Sequence, residues 1–363
     1  MYSVKAGLSL QGRLFLLFLL IGIQVNAQTF PLKVKDTHLV TKNQSPFLIN
    51  GRSADIYGNF SNEIYNLQRY SYLAINTVLI SVPSGNAELN KKGQPTKEWV
   101  KKIKLLRRFT REASLYNIAV FVAVENPGSS ENSYIRNKYL QYAFKTMYRN
   151  KNVTWILNRL DNSEAVRPNK NQLIAERDTT SSGTAHFFIQ TNSALNPNGT
   201  KPLVLLTGLS DSSLTIREAA YAGIMKGAAG IINQTKANTI YSPASQQLKQ
   251  WATTFDSIPW TDFTAFPGLI DGESGNLGIC SVTTRDSLVA AVYFRKLTSL
   301  HLNLSLYKPN LKLTWINTVN GKMLETVINP VPDFQIFMPP LSDDDACEWL
   351  LIMRQLPSKN INN

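Results

Sequence analysis

Four carboxylates stand where a chain of this pattern does its chemistry. Glu125, Asp161, Glu164 and Asp211 each lie just after an apolar run that reads as a buried strand. In parallel sheets the loops after the strands' carboxyl ends carry the reacting groups. A carboxyl there acts as a general acid, a general base or a nucleophile, according to its surroundings. A loop cap or a surface charge is the competing reading for each of the four. Other chemistries have no footing in the sequence. The three histidines, His38, His186 and His301, are isolated, and neither they nor the two cysteines fall at metal-ligand spacing. No GxSxG elbow, phosphate loop or dinucleotide fingerprint occurs. We therefore expect no metal and no cofactor.

The elements that must position these acids are clearest between Lys201 and Asn233. Residues 203–206 form an unbroken apolar run, the mark of a strand buried on both faces. A polar loop follows, and residues 207–213 are where a site belongs. Thr215-Ile216-Arg217-Glu218 reads as a capping box that opens a helix at Thr215. Ala219, Ala220, Ala222, Gly223, Gly227 and Ala228 let that helix lie close on a sheet. A second apolar strand, 229–232, follows at once, and such parallel strand–helix–strand units are right-handed.

The same alternation begins earlier. Strands are expected at 47–49, 75–82, 118–124 and 153–157, with helices at 61–74, 97–117 and 131–149. Thr96 caps the second helix. That order predicts a (β/α)8 barrel. Between the fourth strand and Leu203 only two short strand-like pieces occur, 172–175 and 186–189. We expect the barrel to be shortened there between strands four and seven, or its helices to be replaced by loops. A last helix is expected at 242–254, then a linker over 255–271. Short strands follow at 277–281, 287–294, 300–306, 311–317, 323–327, 334–338 and 349–353, with Asn320-Gly321 as a hairpin signal. The expected fold class is α/β: a TIM-type barrel over 28–271, then an antiparallel β-sandwich over 272–363.

Residues 1–27 are set apart from both domains. Lys5 and Arg13 precede LFLLFLLIGIQV, an apolar run too short to span a membrane, and Val25-Asn26-Ala27 offers a peptidase site. We expect a signal peptide cut after Ala27, a secreted or periplasmic protein, and no integral membrane segment once the signal is gone. The net charge is +13, with much of the excess in residues 91–111. Solvated helix faces account for it, and an acidic polysaccharide partner stays open. No nucleic-acid partner is expected, because no binding motif accompanies the charge. Cys280 and Cys347 can pair in an oxidising compartment or stay apart.

Four groups of residues together resemble the apiosidase-like glycoside hydrolase family. They are DTHLVTKNQSPFLINGRSA near the start, VTWILNRLD at the fourth strand, KPLVLLTGLSD with REAAYAGIMKGAAGI around the seventh, and LTWINTVNGK, FMPP and EWLLIM near the end. The last two groups are the more specific. The resemblance implies a (β/α)8 catalytic barrel and a small β domain that carries a collagen-binding label in the family. It implies a carbohydrate ligand, hydrolysed by two carboxyl groups at the ends of strands four and seven. At each such place this chain departs from the pattern. Arg52 follows Gly51 where the family has an aspartate. Asn158-Arg159-Leu160 stands for Gly-Gly-Asp, with Asp161 one place late. Thr207 stands for the first glutamate at strand seven, and Ser210-Asp211 for the closing Tyr-Glu.

Three functions follow from this. The first is a degenerate, non-catalytic member that binds an oligo- or polysaccharide, with Trp155, Asn158, Arg52, Arg159 and Thr207 at the ligand. The second is an active glycosidase with relocated carboxylates, Asp161 and Asp211 first and Glu125 and Glu164 next. The third is a matrix-binding or adhesion protein acting through the β domain. Trp155 stands near a strand end, where an aromatic can stack on a sugar ring. Its alternative is to pack the strand against a helix. Trp315 and Trp349 alternate with apolar neighbours and read as the core of the small domain.

Overall fold

Double burial is the reason the strongest apolar runs become strands in the computed structural model. It describes residues 29–82, 90, 93–124, 133–157, 168–177, 185–191, 201–208, 212–234, 240–270, 279–295, 299–330, 334–340 and 348–357. A short antiparallel pair comes first, β1 (Lys33–Lys35) and β2 (His38–Val40). The barrel follows: β3 (Ile49–Ser53), α1 (Phe60–Tyr72), β4 (Thr77–Val82), α2 (Lys97–Leu115), β5 (Ala119–Val124), α3 (Ser133–Met147) and β6 (Val153–Leu157). It continues with β7 (Leu173–Arg177), β8 (Phe187–Thr191), β9 (Leu203–Leu206), α4 (Ser213–Met225), β10 (Ala228–Asn233) and α5 (Pro243–Asp256). Strands β3 to β10 are parallel, and β10 pairs with both β9 and β3, so the sheet closes on itself.

Period-two alternation divides the strand residues between two cores. Ile49, Leu79, Phe121, Ile156, Ala175, Phe187, Val204, Leu206 and Ile232 fill the barrel. Leu32, Leu39 and Phe47 join that cluster from the β1–β2 side and close the barrel's amino-terminal end. The alternate residues, Val78, Val120, Val122, Trp155 and Ile174, look outward under the helices. Two glycines permit close approaches. A Cβ on Gly223 of α4 would come 2.5 Å from Leu205 Cδ1. Gly230, at a bulge in β10 with φ 144°, leaves room for the Ile49 carbonyl, which a Cβ would meet at 2.2 Å.

Helices α2, α4 and α5 start where side chains can satisfy their free amides. Thr96 Oγ1 accepts from the Trp99 amide at 3.3 Å, as expected. Trp99, Ile103, Leu106, Thr110 and Ala113 form the buried stripe of α2, and Asn117 leaves the helix with φ 56°. The expected capping box at Thr215 is not formed. Ser212 caps α4 instead, its Oγ accepting from the Thr215 amide at 3.1 Å, because Ser212 itself holds the extended conformation of a cap and Thr215 is already inside the helix. Glu218 is thereby free to reach Arg295, at 2.6 Å.

The barrel is shortened in its connections rather than in its strands. Both weak strand-like pieces are true barrel strands, β7 and β8. Only residues 178–186 separate β7 from β8, and 192–202 separate β8 from β9. The β5-to-β6 connection, which carries α3, spans 125–152.

The expected linker also holds structure. Phe263–Ala265 forms β11 and pairs with β12 (Cys280–Thr284), so the β domain's sheet begins inside residues 255–271. The remaining strands are β13 (Val289–Phe294), β14 (Leu300–Asn303), β15 (Leu311–Asn317), β16 (Met323–Ile328), β17 (Phe334–Phe337) and β18 (Trp349–Gln355). Six of the strands run in the order β11-β12-β13-β18-β15-β16, and β14 pairs with β17 apart from them. Alternation again assigns two faces. Val289, Ala291, Tyr293, Leu350 and Ile352 pack on α4 and α5. Phe294, Trp315, Trp349, Leu351 and Met353 pack with Leu300 and Leu302 of β14. The barrel and the β domain thus share a continuous core, in which Tyr221 stacks on Tyr293 with centroids 5.3 Å apart. Cys280 is a free thiol, and Cys347 lies outside the described residues.

Candidate functional site

The carboxyl ends of β3 to β10 form one mouth, and alternation decides which side chains look into it. Strand register places Ser53, Ser81, Ala123, Ile156, Arg177 and Leu206 at inward positions near those ends. Ala123, Ile156 and Leu206 are buried and make an apolar floor. Ser81 is exposed, and Ser53 and Arg177 are half-buried above that floor. The described part of the mouth therefore offers two hydroxyls and one guanidinium. Arg177 Nε is shielded from solvent and has no hydrogen-bond partner among the described residues. A guanidinium in this setting binds hydroxyls or carboxylates; it stays charged and cannot exchange protons as a general acid or base.

Three of the sequence-expected site residues can be placed, and all three turn away from the mouth. Gly51 and Ser53 hold the inward positions of β3, so Arg52 between them points at the helices. Its guanidinium lies over the Tyr70 ring, 5.0 Å from the centroid, and its Nε donates to the Ser53 carbonyl at 3.3 Å. Burial pushes the Tyr70 phenol well above its usual range, so the ring stays neutral while its hydroxyl donates to Glu63. Trp155 is fully buried on the outer side of β6. It packs edge-on to Phe144 at 4.8 Å, and its Nε1 donates to Gln172 Oε1 at 3.0 Å. No face of the indole is left for a sugar, so the packing alternative is the correct one.

Thr207 is also fully buried. Its amide donates to the Ile232 carbonyl at 3.1 Å and its Oγ1 to Asn233 Oδ1 at 3.4 Å. The same Oγ1 accepts from the Gln234 amide at 3.2 Å. Thr207 ties the end of β9 to the end of β10. Asp161, Asp211, Glu125, Glu164, Asn158, Arg159 and Leu160 lie outside the described residues.

Two charged residues near the mouth escape the sequence reading, which ends their strand at Ala175. Arg177 belongs to β7 and faces inward; Glu176 beside it is fully buried and takes the outward side, paired in register with Leu157. The signal that finds them is parity counted from Leu173 and Ala175, both inward. His186 is structural, its Nδ1 accepting from the Ile174 amide at 3.0 Å. Among the described residues no three His, Cys, Asp or Glu side chains gather to hold a metal ion. No described helix is long and apolar enough to cross a membrane.

The β domain is locked to the barrel at Arg217 of α4. Its Nε and Nη2 bind Glu348 at 2.7 and 2.8 Å, a bidentate pair with both side chains almost wholly buried. Thr318 Oγ1 and the Tyr293 hydroxyl each donate to Glu348 Oε2 at 3.3 Å.

No protein-family profile and no curated protein matches the sequence. Solved structures do match the fold. A protein described as a glycoside hydrolase superposes with a TM-score of 0.74 at 14% identity, over 92% of this chain and 98% of its own. A family 5 glycoside hydrolase from Bacteroides vulgatus gives 0.74 at 15% identity, over 92% and 94%. A maltogenic α-amylase from Thermotoga neapolitana gives 0.53 at 10% identity, over 85% and 99%. The fold these structures share with the chain is the closed eight-stranded parallel barrel with its surrounding helices.

Proposed function

We propose that this chain is an exported, apiosidase-like barrel protein that holds an oligo- or polysaccharide at its strand-end mouth without hydrolysing it. The observation that carries this reading is the position of Thr207. Where a strand-seven carboxylate would stand, its hydroxyl is fully buried and committed to Asn233 and the Gln234 amide. Glycoside hydrolysis needs two carboxyl groups flanking the bond, and a hydroxyl held this way supplies neither role. Arg177, Ser53 and Ser81 are then the described groups that face a ligand. The solved relatives, named as glycoside hydrolases and an amylase, support a carbohydrate as that ligand. The basic leader and apolar run before Ala27 support export. The β domain, joined to the barrel by Arg217 and Glu348, is read as a brace and not as a matrix-binding module.

The test takes residues 28–363 through a glycan array and follows each bound glycan for new reducing ends. We expect saturable binding without turnover, weakened by Arg177→Gln. Turnover that disappears in Asp161→Asn or Asp211→Asn would overturn the reading in favour of a glycosidase with relocated carboxylates.

A further inference from the structure

The barrel's outer wall carries a second candidate site. A groove of about 760 Å³ runs between α2 and α3. That volume falls within the range of ligand pockets, roughly 300–1,000 Å³. Lys104 and Arg107 line it from α2, and Tyr142, Lys145, Tyr148 and Arg149 from α3 and the turn after it. Among the described residues no carboxylate lines it. Among the described residues none of the four cations has an ion-pair partner, whereas Lys102, on the same helix, is paired with Glu98 at 2.9 Å. Arg107 Nε is shielded from solvent and has no hydrogen-bond partner among the described residues.

Four like charges facing one another across a groove oppose folding unless something else holds the walls. Buried amides hold them here. Asn150 Nδ2 donates to Thr110 Oγ1 on α2, and Asn152 Nδ2 to the Thr110 carbonyl at 2.9 Å. Gln172 Nε2 donates to the carbonyls of Met147 and Asn150, at 2.9 and 2.8 Å. The cations are therefore kept together by a framework that does not neutralise them. Their spacing also selects a ligand. Residues three or four apart on a helix stand about 5–6 Å apart at Cβ, close to one sugar unit along a linear polyuronate. Lys104 with Arg107 makes one such step on α2, and Lys145 in the last turn of α3 and Arg149 in the turn after it line the facing wall. Tyr148, 59% exposed, adds a flat apolar face of the kind that packs against sugar rings.

We propose that the α2–α3 groove is a binding site for an acidic oligosaccharide, with Lys104, Arg107, Lys145 and Arg149 at its carboxylates or sulfates. This site is on the helical wall and is independent of what the mouth binds. It also gives the excess positive charge of residues 91–111 a use that a solvated face does not.

Calorimetric titration of residues 28–363 tests it, with an alginate oligosaccharide as probe and a neutral mannan oligosaccharide of the same length beside it. The expected result is alginate binding that weakens at least tenfold in Lys145→Gln/Arg149→Gln and is kept in Lys33→Gln/Lys322→Gln, an equal charge change on other surfaces. Arg177→Gln, in the mouth, should leave alginate binding unchanged, which separates this proposal from the function proposed above. Thermal unfolding checks that each variant is folded; both changes in the groove are at exposed side chains. No alginate binding at low salt, equal loss in the two double variants, or displacement of alginate by single-stranded DNA of the same charge at equal strength would each overturn the proposal.

Discussion

Arg217 and Arg107 are both helix arginines with a shielded Nε, and the protein treats them in opposite ways. Arg217 meets Glu348 through two hydrogen bonds, and Thr318 and Tyr293 complete the carboxylate's shell. Arg107 has three other cations beside it and no acid among the described residues. The first arrangement is complete in the folded chain, and the second is not. The lesson concerns where to look for function in a barrel of this kind. A buried charge whose partners are all present explains how two layers stay together, and a charge left without a counterion by a rigid frame points to something outside the chain.

The largest effect expected tests the closed half of that contrast. Arg217→Met leaves Glu348 buried without its partner and should cost about 3–5 kcal/mol in urea unfolding. The double variant Arg217→Met/Glu348→Leu should recover most of that loss, since an apolar pair of similar volume often replaces a buried ion pair well. A loss below about 1 kcal/mol in the single variant, the size of a surface pair, would break the comparison.

A smaller effect is expected at the mouth, where the same division holds between Thr207 and Arg177. Thr207→Val leaves the Gln234 amide without its acceptor and should lower stability by about 1–3 kcal/mol, with glycan affinity at the mouth kept. Arg177→Gln should do the reverse: melting stays where it is and affinity falls. Parallel melting curves and titrations check both. Loss of affinity in Thr207→Val with normal stability would return that residue to the ligand.

The smallest effect belongs to the groove. Lys145→Gln and Arg149→Gln remove exposed cations without partners, so stability should change by no more than about 0.5 kcal/mol. Any change should be a gain that shrinks as salt is added, because the charges removed repel one another. A clear loss at low salt would show that these side chains hold the wall together.

Much of the fold is legible in the sequence, and the reasons are local. Doubly buried strands such as β5 and β9 read as unbroken apolar runs, and Thr96 and Asn117 bound α2 by cap chemistry that needs no partner elsewhere. β7 and β8 look weak as sequence, yet closure of the sheet makes them full members, because each is paired on both edges. β11 is hidden for the opposite reason. It is a three-residue edge strand, largely exposed, between Pro259 and Pro267, and only its pairing with β12 marks it as a strand. The site is less legible. Motif position brings Arg52, Trp155 and Thr207 to strand ends, but which way a side chain points depends on parity, and parity sends all three outward. One residue's difference separates Glu176, buried in the wall, from Arg177 in the mouth. The brace between the domains joins Arg217 to Glu348 across most of the C-terminal chain, so no window of sequence contains it.

Binding without turnover can be tested in a single sample. A glycan found on the array is titrated into residues 28–363 by calorimetry, left with the protein at equal concentration, and weighed by mass spectrometry. A saturable heat of binding and a glycan of unchanged mass are expected. Fragments that accumulate with time, and that Asp161→Asn or Asp211→Asn abolishes, would contradict that expectation.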